Sequence, residues 1–395
     1  MSPASPTDLL AIARDWSYWD RPVPKSVPRS IDLPRELAPG LALVVQGVRR
    51  SGKSTLLSQL PARYGLPLER CLFVNFEDPR LAPALESSTL QAFVDAFESE
   101  QRGECTYFFD EIQNVEGWER WLRSALDRPR GRRFVITGSN AHLLSGELGT
   151  SLTGRHFKVE LFPFDFDEFR AVRPKAKLAD YLHDGGFPAP LTTPDGDRLR
   201  RAYFDDIVER DVRERVGARS SQPLRQLGQL LYESAGSELS VRRAAAALGM
   251  AEDTVALYLA AIGDAYLAFA APFYAHSERK RAVRNRKYYP VDPGLRRVVV
   301  TKTGEDRGKS LECATFLLLR RRFGAVSYWR DKGEVDFVVV KDGEPVPVQV
   351  SWDAPSERHR KAVDEFHAAH PHAHEAVFVT PASFAGGLPE LANAG

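Results

Sequence analysis

The sequence predicts an α/β protein whose first half is a parallel sheet covered by helices, and three features of the chain carry that expectation. Five short runs, Leu41–Gln46, Cys71–Phe76, Thr106–Asp110, Phe134–Thr137 and Phe157–Leu161, alternate with helix-length segments. Most of these runs are apolar throughout rather than at every second residue, as strands buried on both faces are. The polar residues of this half collect where the runs end: Gly47, then Glu77 with Asp78, Asp110 with Glu111, and Ser139 with Asn140. Ligands of open parallel sheets sit at those carboxyl ends.

The chain has 395 residues, 43% hydrophobic and 27% charged, which is a globular profile with room for more than one domain. Its 54 Lys and Arg against 53 Asp and Glu leave a net charge of +1, so any attraction to an anionic partner must come from a local patch. Cys71, Cys105 and Cys313 are far apart, which suits a reducing cytoplasm and argues against a disulfide framework. No basic segment followed by an apolar core opens the chain, and no apolar run approaches the ~20 residues of a membrane span. A cytoplasmic protein without a membrane partner is expected.

Residues 1–40 read as an N-terminal arm. Pro22, Pro24, Pro28, Pro34 and Pro39 block regular pairing and favour an extended path, and Trp16, Tyr18 and Trp19 read as anchors packed on the next domain.

The first run leads into Gly47-Val48-Arg49-Arg50-Ser51-Gly52-Lys53-Ser54-Thr55, after which Leu56–Leu60 continues as a helix. Strand, glycine loop and helix are the context in which the G-x-x-x-x-G-K-S spacing makes a phosphate-binding loop. Gly47 and Gly52 let the backbone curl so that N–H groups point inward, and the helix start adds partial positive charge. Lys53 is expected to reach the β- and γ-phosphates of a nucleoside triphosphate, and the Ser54 hydroxyl to hold Mg²⁺. Arg49 and Arg50 face either the nucleotide or a partner chain.

The third run delivers Asp110 and Glu111, adjacent acids pointing in different directions. Asp110 is expected in the Mg²⁺ shell and Glu111 beside the attacking water. Glu77 and Asp78 end a similar run but lead into Pro79, so a turn is expected there. The fourth run ends in Gly138-Ser139-Asn140, where Asn140, with Ser139 next, can place a polar group on the γ-phosphate or the water.

Residues 166–237 read as a helical lid or linker, with alternating charges on solvated faces. In 238–300, Val241, Ala244, Ala245 and Leu248 are followed, after Gly249, by Val255, Tyr258, Leu259 and Ile262, the pattern of two short helices around a glycine turn. The second helix offers Glu252, Asp253 and Thr254 rather than basic donors, so a winged-helix unit used for packing or protein contact is expected, not base reading. Just beyond lie Arg279, Lys280, Arg281, Arg284, Arg286 and Lys287, then Tyr288 and Tyr289, a local basic run suited to a phosphate backbone. Residues 301–395 contain Glu312 on a helix and Asp336 on a strand, with a turn at Lys341-Asp342-Gly343 before the next strand. This region resembles a restriction-endonuclease core in which the usual Glu-x-Lys reads Gln349-Val350-Ser351. Loss of that acid and that amine implies an inactive nuclease-like fold. His367, His370, His372 and His374 read as an exposed helix end rather than a metal site.

The phosphate loop, the run Phe108–Gln113, Thr137–Asn140, Leu152–Arg155 and Leu161–Phe169 together resemble a family of AAA-superfamily ATPases that carries a C-terminal domain of unknown function. The resemblance continues through Tyr181–Pro188, Tyr203–Asp211 and Gly333–Phe337. It implies an ATPase core over 41–165 and a strand order with the fourth run between the first and third. It also implies a homo-oligomer in which an arginine, here Arg155, neutralises charge in its own site or a neighbour's. Work on DNA or gating of a protein partner are the uses it leaves open.

Overall fold

Five strands form one parallel sheet in this computed structural model: β1 Ala42–Gln46, β2 Cys71–Asn75, β3 Thr106–Asp110, β4 Arg133–Gly138 and β5 His156–Glu160. Their order is β2-β3-β4-β1-β5, all neighbours parallel, so β4 lies between β1 and β3 as expected. The structure describes residues 6–101, 103–139, 154–300 and 306–391, and the chain divides into two units, 1–161 and 162–395.

Because side chains alternate along a strand, each apolar run supplies both faces of the sheet. Ala42, Val44, Leu72, Val74, Tyr107, Phe109, Phe134 and Ile136 join one core, with residues of α3 (Ser87–Glu100) and α4 (Trp118–Asp127). Leu43, Val45, Cys71, Phe73, Phe108 and Val135 join the other, with Leu56, Leu57 and Leu60 of the helix Lys53–Tyr64, here α2. Strand β5 is the exception: it closes one edge, and Phe157 on it is 46% exposed.

The arm is not extended throughout. Residues Pro6–Trp16 form a helix, α1, because every proline cited for an extended path lies beyond it. The aromatic residues that follow do anchor it. Trp16 Nε1 donates to Asp78 Oδ2 at 2.8 Å, Trp19 Nε1 donates to the Cys71 carbonyl at 2.9 Å, and the Trp19 ring stacks on Phe97 at 5.3 Å. Asp78 also accepts from the Arg80 backbone N–H, which is the turn expected before Pro79.

The second unit begins with α5 (Phe166–Val172), α6 (Leu178–Asp184) and α7 (Gly196–Asp206), which runs into a π-helical stretch, Ile207–Arg213. Its charges are not all solvated: Arg200 and Asp211 are buried, and Arg200 is held by Asp197 at 2.7 Å. Then come α8 (Gln222–Glu233), β6 (Glu238–Leu239), α9 (Val241–Leu248) and α10 (Glu252–Asp264), the last two meeting at 105° with Gly249 left-handed between them. Strands β7 (Ala268–Ala271) and β8 (Arg286–Pro290) complete a three-stranded antiparallel sheet, order β6-β8-β7.

After α11 (Pro293–Val299) and α12 (Arg307–Phe323) comes a four-stranded sheet, β9 Ser327–Arg330, β10 Glu334–Lys341, β11 Glu344–Val350 and β12 Val377–Val379, in the order β12-β11-β10-β9. Asp342 and Gly343 both take positive φ, 53° and 86°, in the hairpin turn expected between β10 and β11. Helix α13 (Glu357–Ala369) lies against this sheet through Ala362, Val363 and Phe366. Among the described residues no single helix is long and apolar enough to cross a membrane.

Gly47 has a packing reason to be glycine besides loop curvature. A Cβ there would lie 2.1 Å from the Leu161 carbonyl oxygen, just past β5. Gly47→Ala is expected to lower stability by about 2 kcal/mol or more, read as a reduced urea midpoint.

Candidate functional site

The loop after β1 is shaped by two left-handed residues, Arg50 at φ 70° and Gly52 at φ 99°, with Ser51 N donating to the Val48 carbonyl at 3.2 Å. Left-handed steps of this kind gather backbone N–H groups into a concave anion-binding surface, and α2 begins directly behind it at Lys53. Val48 is buried beneath the loop, while Arg50, Ser54 and Thr55 are exposed. Arg49 turns sideways to Glu77, Nη1 to Oε1 at 2.8 Å. Among the described residues the buried Ser51 hydroxyl has no hydrogen-bond partner.

Lys53 is only 4% exposed. Its Nζ donates to the Gly47 and Val48 carbonyls at 3.2 and 3.4 Å and pairs with Glu111 Oε1 at 3.3 Å. Ser54 Oγ donates to Asp110 Oδ2 at 2.6 Å. Thr137 Oγ1 donates to Asp110 Oδ1 and accepts from the Glu111 N–H at 3.0 Å. Asn75 Nδ2 reaches Asp110 Oδ2 at 3.3 Å. Parallel register explains this convergence, since Asn75 is level with Asp110, and Val45 with Thr137.

Glu111 leaves the strand in the left-handed region, φ 53°, unusual for a residue with a side chain. Gln113 Nε2 donates to its Oε2 at 2.6 Å. Burial and the neighbouring Glu111 charge push the Asp110 carboxyl up, against the Ser54 and Thr137 hydroxyls. Burial would raise Glu111 too, but the Lys53 charge and the Gln113 amide outweigh it and hold this carboxyl below its usual range. Two adjacent acids thus divide, one held ionised by the loop lysine and the other less acidic.

The sequence-predicted residues Gly47 through Thr55, Asp110 and Glu111 therefore meet at one edge of the sheet. Asn140 lies outside the described residues, whereas Ser139 is buried just after β4. Arg155 is not brought to its own chain's loop. It precedes β5, its carbonyl accepts from Ala42 N at 2.9 Å at the start of β1, and its guanidinium pairs with Asp127. Because β5 runs parallel to β1, this is the opposite end of the strands, about 16 Å from the loop at 3.3 Å per residue. In this structure Arg155 therefore lies away from the loop of its own chain.

Asn75 and Arg29 carried no sequence signal as site residues, and Gln113 lies in the run Phe108–Gln113 with no role of its own expected there. Arg29, from the arm, is buried and donates from Nη1 to the Ser51 carbonyl at 2.8 Å, bracing the loop from behind. Nothing in its spacing relates it to a motif 22 residues downstream.

The basic run of the second unit is divided. Arg279, Lys280, Arg284 and Arg286 are exposed, and Arg281 pairs with Glu278. Lys287 is not available to a phosphate backbone: it is fully buried, pairs with Glu334 at 2.6 Å and lies over the Tyr328 ring. The inward-facing side of β8 decides this, as residues alternate along the strand. In the C-terminal region Asp336 and Glu312 both have partners within the chain. Asp336 accepts from Gln349 Nε2 at 2.6 Å and Val350 N at 2.8 Å, and Glu312 from the Tyr289 hydroxyl at 2.8 Å and Lys309 Nζ at 2.9 Å. Burial and the Glu312 charge push the Asp336 carboxyl up to about 7. Among the described residues no group of three or more His, Cys, Asp or Glu is placed to hold a metal. His367 and His374 instead bond to the carbonyls of His374 and Lys341.

A parallel sheet of this order, with a glycine loop, a lysine and paired acids at its carboxyl edge, defines a AAA-type P-loop protein. Comparison agrees: residues 40–170 match the family model described as AAA domain, residues 175–306 a domain of unknown function (DUF8612), and residues 307–385 another (DUF4143). An uncharacterized protein of Haemophilus influenzae is 32% identical over 335 residues, 80% of this chain and 84% of that one. An uncharacterized protein of Methanocaldococcus jannaschii is 30% identical over 359 residues, 83% and 78% of the two chains. The chain belongs to the family of these two proteins. Among solved structures, the replication initiator DnaA bound to AMPPCP and single-stranded DNA is similar at TM-score 0.29 and 16% identity, over 57% of this chain and 82% of that one. Cdc6p from Pyrobaculum aerophilum is similar at TM-score 0.28 and 12% identity, over 65% and 86%. Scores this low carry no argument about function.

Arg29→Ala is expected to weaken ATP binding about tenfold through loss of one charged hydrogen bond to the loop. Calorimetry with an ATP analogue measures this, and circular dichroism verifies that the fold is retained.

Proposed function

We propose that residues 41–165 bind ATP with Mg²⁺ and hydrolyse it. The observation that supports this most directly is the continuous chain Lys53–Glu111 and Ser54–Asp110 at the mouth of the glycine loop. Ser54 and Asp110 would hold the Mg²⁺, whose positive charge neutralises phosphate oxygens during transfer. The loop amides and Lys53 bind the polyphosphate and bear its developing charge. Lys53 must turn from Glu111 to do so, which releases one carboxylate oxygen of Glu111 to orient water, while Gln113 keeps hold of the other. Asn140 completes the polar surround, and Arg155 serves a neighbouring subunit of a homo-oligomer.

The energy of hydrolysis is used to move the helical segment 166–237, the winged-helix-like segment 238–300 and the inactive nuclease-like domain 301–395. DNA is the proposed object, on the strength of the exposed cations Arg279, Lys280, Arg284 and Arg286 beside a helix-turn-helix and its small sheet. Exchange of the Lys53 ammonium between Glu111 and phosphate supports a second reading, a nucleotide-gated switch for a protein partner.

Lys53→Ala is expected to abolish ATP binding, and Glu111→Gln to keep binding while lowering turnover at least about a hundredfold. Equilibrium binding and phosphate release measure the two. Turnover is expected to rise with duplex or branched DNA at low salt. Unchanged turnover, with slow basal hydrolysis and nucleotide-dependent capture of a partner, favours the switch.

A further inference from the structure

A groove in the second unit, about 900 Å³, is lined by the segment after β7, the turn after β9, the start of β11 and the end of α13. Three rings meet in it. Tyr274, His276 and His370 have centroids 5.2 to 5.8 Å apart and mutual angles of 63 to 71°. Phe366 backs His370 at 4.6 Å and Tyr274 packs against the same hydrophobic core, which anchors these two rings. Tyr274 and His370 remain part-exposed and His276 exposed, so they leave π surface open to a ligand.

On the lip stand Lys280 and Arg284, and between them Val283, 77% exposed, a large apolar side chain held in water. Arg284 is stacked over Phe273 at 4.9 Å, which fixes its guanidinium at the edge of the groove. Exposed Arg279 and Arg286 continue the positive charge outside it. The turns on the sheet side add Asp331 and Glu344, acceptors that suit the amino groups of bases and not phosphates. Anchored rings, an exposed apolar contact, cations in a row and inner acceptors are the complement of a nucleobase attached to its phosphates.

We propose that this groove binds an unpaired segment of nucleic acid, with a base against Tyr274 and His370 and the flanking phosphates on Lys280 and Arg284. The inference deepens, and rests on, the reading that the second unit works on DNA. It changes the site from the linear basic run to a pocket that excludes Lys287. It also selects single strands, because a paired base cannot turn its face into the rings. An acidic peptide would use the same cations but would have no use for the rings and inner carboxylates.

The test is fluorescence anisotropy of the full chain with a labelled single-stranded DNA of about 15 nucleotides, in the absence of ATP. Tyr274→Ala, and separately the surface variant Lys280→Glu with Val283→Ser, are each expected to weaken binding about tenfold, the second also lowering the salt dependence. Both residues of the surface pair are exposed, so its result stands if Tyr274→Ala unfolds. Single-stranded RNA in a parallel arm shows which sugar is preferred, either result agreeing with the pocket. Equal binding by parent and variants overturns the proposal. So does tighter binding of a duplex of the same length, or displacement by poly-glutamate as complete as by unlabelled strand. If the variants lose the oligonucleotide while DNA leaves the parent's ATP turnover unchanged, the pocket stands and the DNA-work reading falls. If DNA stimulates parent and variants alike, the pocket falls alone.

Discussion

One buried cation organises the carboxyl edge of the parallel sheet. Lys53 is nearly inaccessible to water, and an ammonium in that position needs compensation from its surroundings. Two loop carbonyls and Glu111 supply it. The consequences spread outward: Glu111 stays ionised, Asp110 beside it becomes less acidic, and Ser54, Thr137 and Asn75 are aligned on Asp110 by hydrogen bonds. Remove the lysine, and two buried carboxylates face each other with little to balance them. Phosphate oxygens offer the lysine the same negative charge that Glu111 offers, so resting and loaded arrangements compete for a single ammonium.

That arrangement depends on register. In a parallel sheet each strand brings its last residues to the same edge, and small offsets in pairing decide which side chains meet. Here Asn75 and Asp110 end two adjacent strands, Thr137 stands one residue before the end of a third, and the three share hydrogen bonds. The same geometry places Arg155 at the far edge, since it begins a strand that Gly47 and its neighbours end alongside. A residue's distance from the motif along the chain says little; its position at the start or end of a strand says much.

How far the sequence could be read follows from this distinction. The sheet, its strand limits to within a residue or so, and the gathering of Lys53, Ser54, Asp110 and Glu111 were legible because apolar runs and motif spacing are local signals. The helical start of the arm was hidden by prolines that lie just after it. Burial of Lys287 was hidden because its neighbours in sequence are exposed cations, and only strand pairing turns it inward. Asn75 at a strand end and Gln113 in the short helical turn after β3 look like any turn amide until their partners are known. In the C-terminal region the sequence did not disclose the internal partners that Glu312 and Asp336 find in Lys309, Tyr289 and the β11 backbone.

The guanidinium of Arg29 carries a further implication. Similarity to other AAA domains begins at residue 40, beyond this side chain, so a minimal domain excised at that boundary would lack its own brace. Weak nucleotide uptake by such a fragment would then report where it was cut, not what the intact polypeptide can do. The arm is better regarded as the rear wall of the phosphate cradle than as a leader to it.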